Sequence, residues 1–563
     1  MFRPWQKIMR GAFTKPACAR IIKGKIFQKS QVLEAVLLLK KLIAGAAMLS
    51  LMSVSAEACT VMIVTKGASE DGTVIVSHSN DGRGAEMNLV FVPAKDHPKG
   101  SMRPVYPTAV ALDVMPEYNA YDQPNLVAPE RSEGYDYPGK PHTKPIGFIP
   151  EVEHTYAYMD ADYGVANEHG LMFGECTDMS AHLPEVQYKE GGGIFYASEL
   201  SRVALERCKT AREAIALMGS LIDEYGLWGT AETLGVADKE EAWVFEMQMS
   251  PTGKGGFWIA EKIPDGDFFI EANQLRIRAI REGDPNQMFN PKLPQMLKDV
   301  GWAEYDENGN LDWVKSLQSK EFHHPYYSKR RVWRAMSLVA PSKNLPPRVE
   351  SWDSKAYPFS IRPDKKLNVE DIARIHRDYY QGTEFDKSKS PLAGMYGSPY
   401  HYEIEMGERS ILSSKTSYSH ISQAGGALPS PVVWMSMDTP YENPFVPFAV
   451  SKVPEEYHAL RDTYDPTKMF WTSNQIMALN QGYFNIMSPV VKEAVEQSEE
   501  NSMQMINASS GLSKEKFAEV LRNNALKIFD DWKQLSTKLL MKFKSNVGIK
   551  YERQPRPNTP TEY

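Results

Sequence analysis

Cysteine is scarce in this chain. Only Cys18, Cys59, Cys176 and Cys208 occur among 563 residues, which rules out a disulfide framework and is too few and too scattered for a cysteine-rich zinc site. His-Glu-x-x-His is absent. His323 and His324 stand before Pro325 in a Tyr-rich stretch and read as surface or core aromatics rather than metal ligands. "PTGKGG" at 251–256 lacks the spacing of a phosphate loop and reads as a hairpin turn; no G-x-S-x-G elbow occurs. Neither a metal nor a nucleotide cofactor is therefore expected. There is no heptad pattern, no collagen period and no repeat of fixed spacing. No apolar run approaches the roughly 20 residues that span a bilayer, so no transmembrane helix is expected in a mature chain. A basic stripe with interleaved aromatics is also missing, and residues 59–563 carry 54 basic against 69 acidic side chains. Such a body repels polyphosphate, and nucleic acid is not an expected partner.

What is present begins with an address. Residues 1–58 hold ten Lys or Arg and two Glu. Lys40 and Lys41 precede thirteen apolar or small residues at 42–54, and Ala56-Glu57-Ala58 follows. This is the layout of a secretory signal, with a positive region, a short apolar core and an A-x-A cleavage site. A secreted or periplasmic protein is expected. Residues 1–39 are long and basic for a signal, and either an upstream start codon or an extended positive region accounts for them.

Cleavage after Ala58 makes Cys59 the first residue. Three readings compete for it: a buried thiol, a lipidated anchor, or a nucleophile. The lipid reading fits badly, because Glu57 interrupts the small residues of a lipobox. The nucleophile reading has a physical basis. Within a chain the Cys59 nitrogen is an amide and no base. Once freed it is an α-amine with a reference pKa of about 7.7–8.0, against about 8.5 for the thiol. The two nearly match, so one residue supplies both nucleophile and base. The uncut precursor is then inactive.

"CTVMIVTK" alternates and is rich in β-branched residues, "GASEDG" supplies a turn, and "TVIVSHSND" reads as the returning strand. The hairpin brings residues 78–83 beside Cys59. Asp81 is then placed to hold the amine, although Asn80-Asp81-Gly82 is equally a turn signal. Residues 102–149, rich in Pro, Tyr and Gly, read as a long loop. "YAYMDADYGVANEHGLMFGECTDMS" reads as strand, turn, strand with Glu168-His169-Gly170 in the turn. Two helices follow, with Leu200, Val203, Ala204, Cys208, Ala211, Ile215, Met218 and Ile222 on one face and a Thr210–Glu213 capping box. "ETLGVADKEEAWVFEM" reads as a hairpin, and "GFWIAEKIPDGDFFIEANQLRIR" as another strand pair. "ERSILSSKTSYSHIS" and "SPVVWMSMD" read as strands, and the end is helical. This order is not βαβ alternation, and an α+β architecture of antiparallel sheets is expected.

A Cys-Thr start, "GASEDGTVIVSHSND", "GVANEHGLMFGE", "ALERCKTAREAI", "GVADKEEAWVFEM", "ANQLRIR", "KTSYSHISQ" and "VVWMSMD" occur in order. Together they resemble the PepD-like cysteine dipeptidases of the N-terminal-nucleophile (Ntn) hydrolase superfamily, from Cys59 to roughly residue 450. The resemblance implies a four-layer αββα sandwich with a helical C-terminal extension: a leader over 1–58, a catalytic domain over 59–450 and an extension over 451–563. It implies metal-free hydrolysis of dipeptides or short peptides. Cys59 is implied as nucleophile and base, and Asp81 as the acid that contacts the amine. Asn273 is implied in substrate positioning and the oxyanion, and Arg409 in support of the network.

His78 departs from the Arg that related acylases carry three residues before the Asp, and Arg83 is the candidate to compensate. "GECT" offers Glu175 and Cys176 where those acylases have an oxyanion Asn. Asn167 is the fallback, or else it stabilises a turn. Asp81, Arg276 or Glu175 is expected to read the substrate's terminal charges. Two other readings stay open: an amidase of the same superfamily acting on N-acyl amides of bile-salt or penicillin type, and a lipid-anchored binding protein on an inactive scaffold. A homo-oligomer is likewise left open.

Overall fold

The computed structural model describes residues 59–82, 87–107, 126–178, 180–182, 192–318, 326–401, 408–460 and 463–545. The expectations placed on the 1–58 leader, Arg83, His323, His324 and part of the Pro/Tyr/Gly segment lie outside these residues.

The hairpin after Cys59 forms as its sequence dictates. Strands β1 (Thr60–Val64) and β2 (Thr73–Asn80) pair antiparallel, with Thr60 opposite Ser79. β1 has no polar face because both its faces are covered. Val61 and Ile63 join one apolar cluster, while Met62 and Val64 join another.

The chain continues through β3 (Val90–Val92), β4 (Tyr158–Asp160), β5 (Gly164–Asn167) and β6 (Met172–Asp178), then helices α1 (Ala197–Arg207) and α2 (Ala211–Tyr225). β7 (Ala231–Ala237), β8 (Ala242–Met249), β9 (Gly256–Lys262), β10 (Phe268–Glu271) and β11 (Gln287–Phe289) follow. Helices α3 (Lys329–Val339) and α4 (Val369–His376) precede β12 (Tyr418–Gly425), β13 (Val432–Met437) and β14 (Val446–Ala449). Helices α5 (Met469–Gly482), α6 (Phe484–Ala508) and α7 (Lys514–Ser545) come last.

The strands build a six-stranded sheet, β10-β1-β2-β12-β13-β14, and an eight-stranded sheet, β11-β9-β8-β7-β6-β5-β4-β3. Every pairing in both is antiparallel. The α+β class expected from the sequence is the class observed. One apolar cluster unites Val61, Ile63, Val74 and Val76 of the first sheet with Met172, Cys176, Val244 and Ile259 of the second. A second packs Phe173, Leu234, Val236 and Phe245 against Leu200, Val203, Ile215 and Met218 of α1 and α2. A third packs Met62, Val64, Ile75 and Ile270 against Val332, Met336 and Val339 of α3 and Ile372 of α4. From the C-terminal helices, Ile476, Val491, Val495, Phe529 and Trp532 join the first cluster.

Two glycines set the separation of the sheets. Gly174 and Gly235 stand opposite each other on β6 and β7. A Cβ on Gly174 would lie 3.0 Å from the Ser77 carbonyl oxygen and 3.2 Å from Val76 Cγ1; one on Gly235 would lie 2.9 Å from Ile63 Cδ1. Without side chains there, β6 lies close against β1 and β2, which brings Glu175 toward the Cys59 hairpin.

Three readings need correction. "GFWIAEK…DFFIEAN" is not a strand pair: β9 and β10 belong to different sheets. The Thr65 hydroxyl, at the end of β1, accepts hydrogen bonds from the Gly266 and Asp267 N–H groups, so the Pro-Asp-Gly-Asp turn delivers β10 to β1. "ERSILSSKTSYSHIS" becomes a strand only at Tyr418. Cys208 is buried but caps the C-terminus of α1 rather than lying within a helix. The Thr210–Glu213 capping box forms as expected and is worth about 1 kcal/mol.

Candidate active site

Cys59 sits at the head of β1, and its main-chain carbonyl is clamped. Arg331 Nη1 donates to that oxygen at 2.8 Å, and Arg409 Nη2 at 3.4 Å. Arg409 Nη1 lies 2.7 Å from Asp81 Oδ2 in an ion pair with both partners buried. One guanidinium thus bridges the nucleophile candidate to the acid candidate. Asp81 also accepts hydrogen bonds from the Thr416 and Ser79 hydroxyls. It sits where β2 ends because the eight-residue strand returns in register with β1.

Sequence reasoning missed Arg331. Its Nη1 also donates to Thr60 Oγ1, and its Nη2 donates to the Ala272 carbonyl and to Asn273 Oδ1 at 2.8 Å. Burial and the neighbouring Arg409 pull its pKa down from the usual guanidinium range. A signal for it existed. Arg331 falls beside Val332, Ala335, Met336 and Val339, the apolar stripe of α3, so helical periodicity turns it inward.

Asn273 is held by three contacts. Its Nδ2 donates to the Thr177 carbonyl at 2.6 Å, its N–H reaches Cys176 Sγ at 3.2 Å, and its Oδ1 accepts from Arg331. Its backbone is left-handed, at φ 60°, a conformation that Asn tolerates better than most residues. The side-chain amide donates to Thr177 through one of its two N–H bonds.

His78 and Glu175 meet beside Cys59. His78 Nε2 is 3.5 Å from Glu175 Oε2. One ligand-type atom each from Cys59, His78 and Glu175 all lie within 4.8 Å of one another. Burial pushes the Glu175 pKa up, but the neighbouring His78, with Glu232 and Thr177, brings it below the usual carboxyl value. Among the described residues the other two thiols are Cys176 and Cys208, both buried. Burial, with Glu271 nearby, holds the Cys176 thiol well above its ordinary pKa, and burial pushes Cys208 up to about 12.

The structure engages Asn167 and Arg276 elsewhere. Asn167 Oδ1 accepts from the His169 and Leu171 N–H groups, and its Nδ2 donates to the Leu205 and Cys208 carbonyls. It ties the turn to the α1–α2 connection, the second of its two expected roles. Arg276 Nη2 donates to the Pro358 and Phe359 carbonyls, and burial with Arg278 nearby draws its pKa down to about 10.

Comparison with known proteins points to peptidases. A family model described as "Peptidase family C69" matches residues 141–497. The match takes in Glu175, Asn273, Arg331 and Arg409 and starts beyond Cys59, His78 and Asp81. A "Probable dipeptidase" of Latilactobacillus sakei is 27% identical over 440 residues, covering 76% of this chain and 82% of that protein. A "Probable dipeptidase B" of Lactococcus lactis is 24% identical over 441 residues, covering 76% and 82%. A "Dipeptidase" of Bifidobacterium longum is 26% identical over 465 residues, covering 77% and 79%.

Proposed function

The chain belongs to peptidase family C69, and from that premise we propose that it is an exported dipeptidase whose nucleophile is an N-terminal Cys59 exposed by processing. The carrying observation is the Arg409 bridge, which ties the Cys59 carbonyl and the Asp81 carboxylate to one buried guanidinium. The apolar clusters between the sheets and on their outer faces support reading the fold as the four-layer αββα sandwich of Ntn hydrolases. Helices α5, α6 and α7 are its C-terminal extension. The positive region, apolar core and Ala-Glu-Ala at 40–58 support export to the periplasm or beyond.

In the proposed reaction the freed α-amine takes the Cys59 thiol proton, and the sulfur attacks the scissile carbonyl. The ammonium then protonates the departing amine, and water releases the acyl group. Asp81, fixed by Arg409, Thr416 and Ser79, orients the amine. Asn273 is a positioning residue: it holds Arg331, which holds the Cys59 main chain. Backbone N–H groups receive the oxyanion, and each such donor is worth about 3–4 kcal/mol in a transition state. Glu175 is the carboxylate placed to meet the free ammonium of an unblocked dipeptide.

The test is intact mass together with a substrate panel. Protein exported with its leader is expected to begin at Cys59 and to hydrolyse unblocked dipeptides in preference to N-acyl amides. Equal turnover by a chain that retains residues before Cys59, or whose α-amine is blocked, would refute the scheme. Preference for N-acyl amides would assign an acylase.

A further inference from the structure

An N-terminal cysteine carries its own base, so the proton transfers of hydrolysis do not call for the imidazole and carboxylate that crowd Cys59, although Glu175 is also the proposed partner of the substrate's ammonium. Both are buried, and both have unmet bonding capacity. Neither His78 ring nitrogen has a hydrogen-bond partner among the described residues, nor does Glu175 Oε2. The His78 ring is held edge-on by Tyr163, Tyr418 and His420. The other Glu175 oxygen accepts from Thr177 Oγ1 at 2.9 Å, which fixes the carboxylate. Among the described residues this is the one group of three or more Cys, His, Asp and Glu side chains close enough together to share an ion.

We propose that Cys59, His78 and Glu175 form a binding site for a thiophilic divalent cation of the Zn2+ class, which reversibly blocks the nucleophile. Thiolate, imidazole and carboxylate are the donors such a cation selects. A tetrahedral Zn2+ sets its N and O ligands about 3.4 Å apart and S somewhat further. The 3.5 Å edge between His78 and Glu175 already has that length. Cys59 Sγ, within 4.8 Å of both, needs to close by about an ångström at most. On the proposed maturation the freed α-amine of Cys59 is the fourth ligand, closing a five-membered chelate with its own sulfur. Binding displaces the thiol proton to solvent and forms one metal–sulfur bond, with no change of oxidation state. The ion is an inhibitor here, not a cofactor, because it occupies the sulfur that must attack.

The test uses chelator-stripped mature protein titrated with Co2+ and then Zn2+. One equivalent of Co2+ is expected to bind with sulfur-to-metal charge-transfer absorption and to be displaced by Zn2+. Zn2+ is expected to slow iodoacetamide alkylation of Cys59 and suppress dipeptide hydrolysis, with EDTA restoring both. His78→Asn and Glu175→Gln should each weaken Co2+ binding about tenfold or more. A bound-Co2+ spectrum without the sulfur band, or full affinity in both variants, overturns the proposal. Should His78→Asn fail to fold, Glu175→Gln and alkylation protection in the wild-type chain decide it. Metal binding without dipeptide turnover leaves the site standing and removes the peptidase reading; turnover without stoichiometric binding does the reverse.

Discussion

The cluster around Cys59 and the cluster beneath α1 are both buried and both charged, yet they are paired to different degrees; of the charged groups under α1, Asp160 Oδ1 and Arg131 Nη1 go without a hydrogen-bond partner among the described residues. Under α1, Arg103, Arg131 and Arg202 face Asp160, Glu199 and Glu206. Arg103 grips both oxygens of Glu206 at 2.6 and 3.0 Å and reaches Glu199 at 2.6 Å; Arg202 holds Asp160 at 2.7 Å and Glu199 at 3.1 Å. On the strands of the two sheets that carry the Cys59 site, the carboxyls are less fully paired. Glu175, Asp178, Glu232, Glu246 and Glu271 are buried, and each keeps one oxygen without a hydrogen-bond partner. The first arrangement fixes a helix on a sheet. The second leaves more carboxyl oxygens unpartnered on the strands beside a candidate nucleophile.

The largest expected effect separates the two clusters by activity. Cys59→Ala should lower kcat/KM for a dipeptide by at least about 10³-fold, roughly 4 kcal/mol of transition-state stabilisation, with the melting temperature little changed. Residual turnover near wild type would move the nucleophile elsewhere. The next effect is reversed. Glu199→Gln leaves Arg103 and Arg202 short of a buried anion and should cost about 3–5 kcal/mol in urea unfolding. Its pH signature follows from its titration. Burial pushes Glu199 up, but the three guanidiniums outweigh it and hold the pKa at about 2, below 4.5. A depressed folded pKa means stability present above pH 4.5 and lost as pH falls toward 2. Glu199→Gln should therefore flatten that acid limb.

The sequence disclosed local features and concealed distant ones. The 59–80 hairpin was legible because β-branched alternation and a turn lie within 22 residues. The Thr210 cap was legible because its partner is three residues away. Arg409 was legible as a site residue only through resemblance, and its reach to Asp81 not at all, since nothing local joins residues 328 positions apart. Arg331 was hidden because "SKRRVWRAM" reads as a solvated basic helix until its apolar stripe is drawn. The sheet change between β9 and β10 was hidden because a Pro-Asp-Gly-Asp turn looks the same whether it joins neighbours or strands of two sheets. Glu232, Glu246 and Glu271 did leave a trace, each being one acid inside an apolar strand.

A smaller effect tests how the two sheets present the unsatisfied cluster. Gly174→Ala places a Cβ 3.0 Å from a backbone oxygen that cannot rotate away, so β6 must withdraw from β2. A loss of about 1–3 kcal/mol is expected, with a larger proportional loss of kcat than of stability because Glu175 moves with its neighbour. Gly219→Ala also lacks room, at 2.4 Å from Trp258 Cζ2, but α2 lies away from Cys59. It should cost stability while kcat follows only the folded fraction. Equal effects on kcat in the two variants would show that the spacing at Gly174 is not tied to the site.

The last contrast is in the sign of pH dependence. Glu246 accepts hydrogen bonds from the Arg276 and Ile277 N–H groups. Burial nevertheless dominates those bonds and pushes its carboxyl up to about 8 from 4.5. A raised folded pKa means that the native state keeps a proton the unfolded chain has released. The contribution is whole below pH 4.5 and is lost as pH rises toward 8, the reverse of Glu199. The slope is at most about 1.4 kcal/mol per pH unit for one proton. Glu246→Gln, neutral at every pH, should remove that decline, so its stability relative to wild type grows between pH 5 and 8 and levels off above. Urea unfolding at four pH values measures it. A constant difference between the two proteins would mean that Glu246 is already ionised in the native state, and that the acids near Cys59 are better paired than their neighbours suggest.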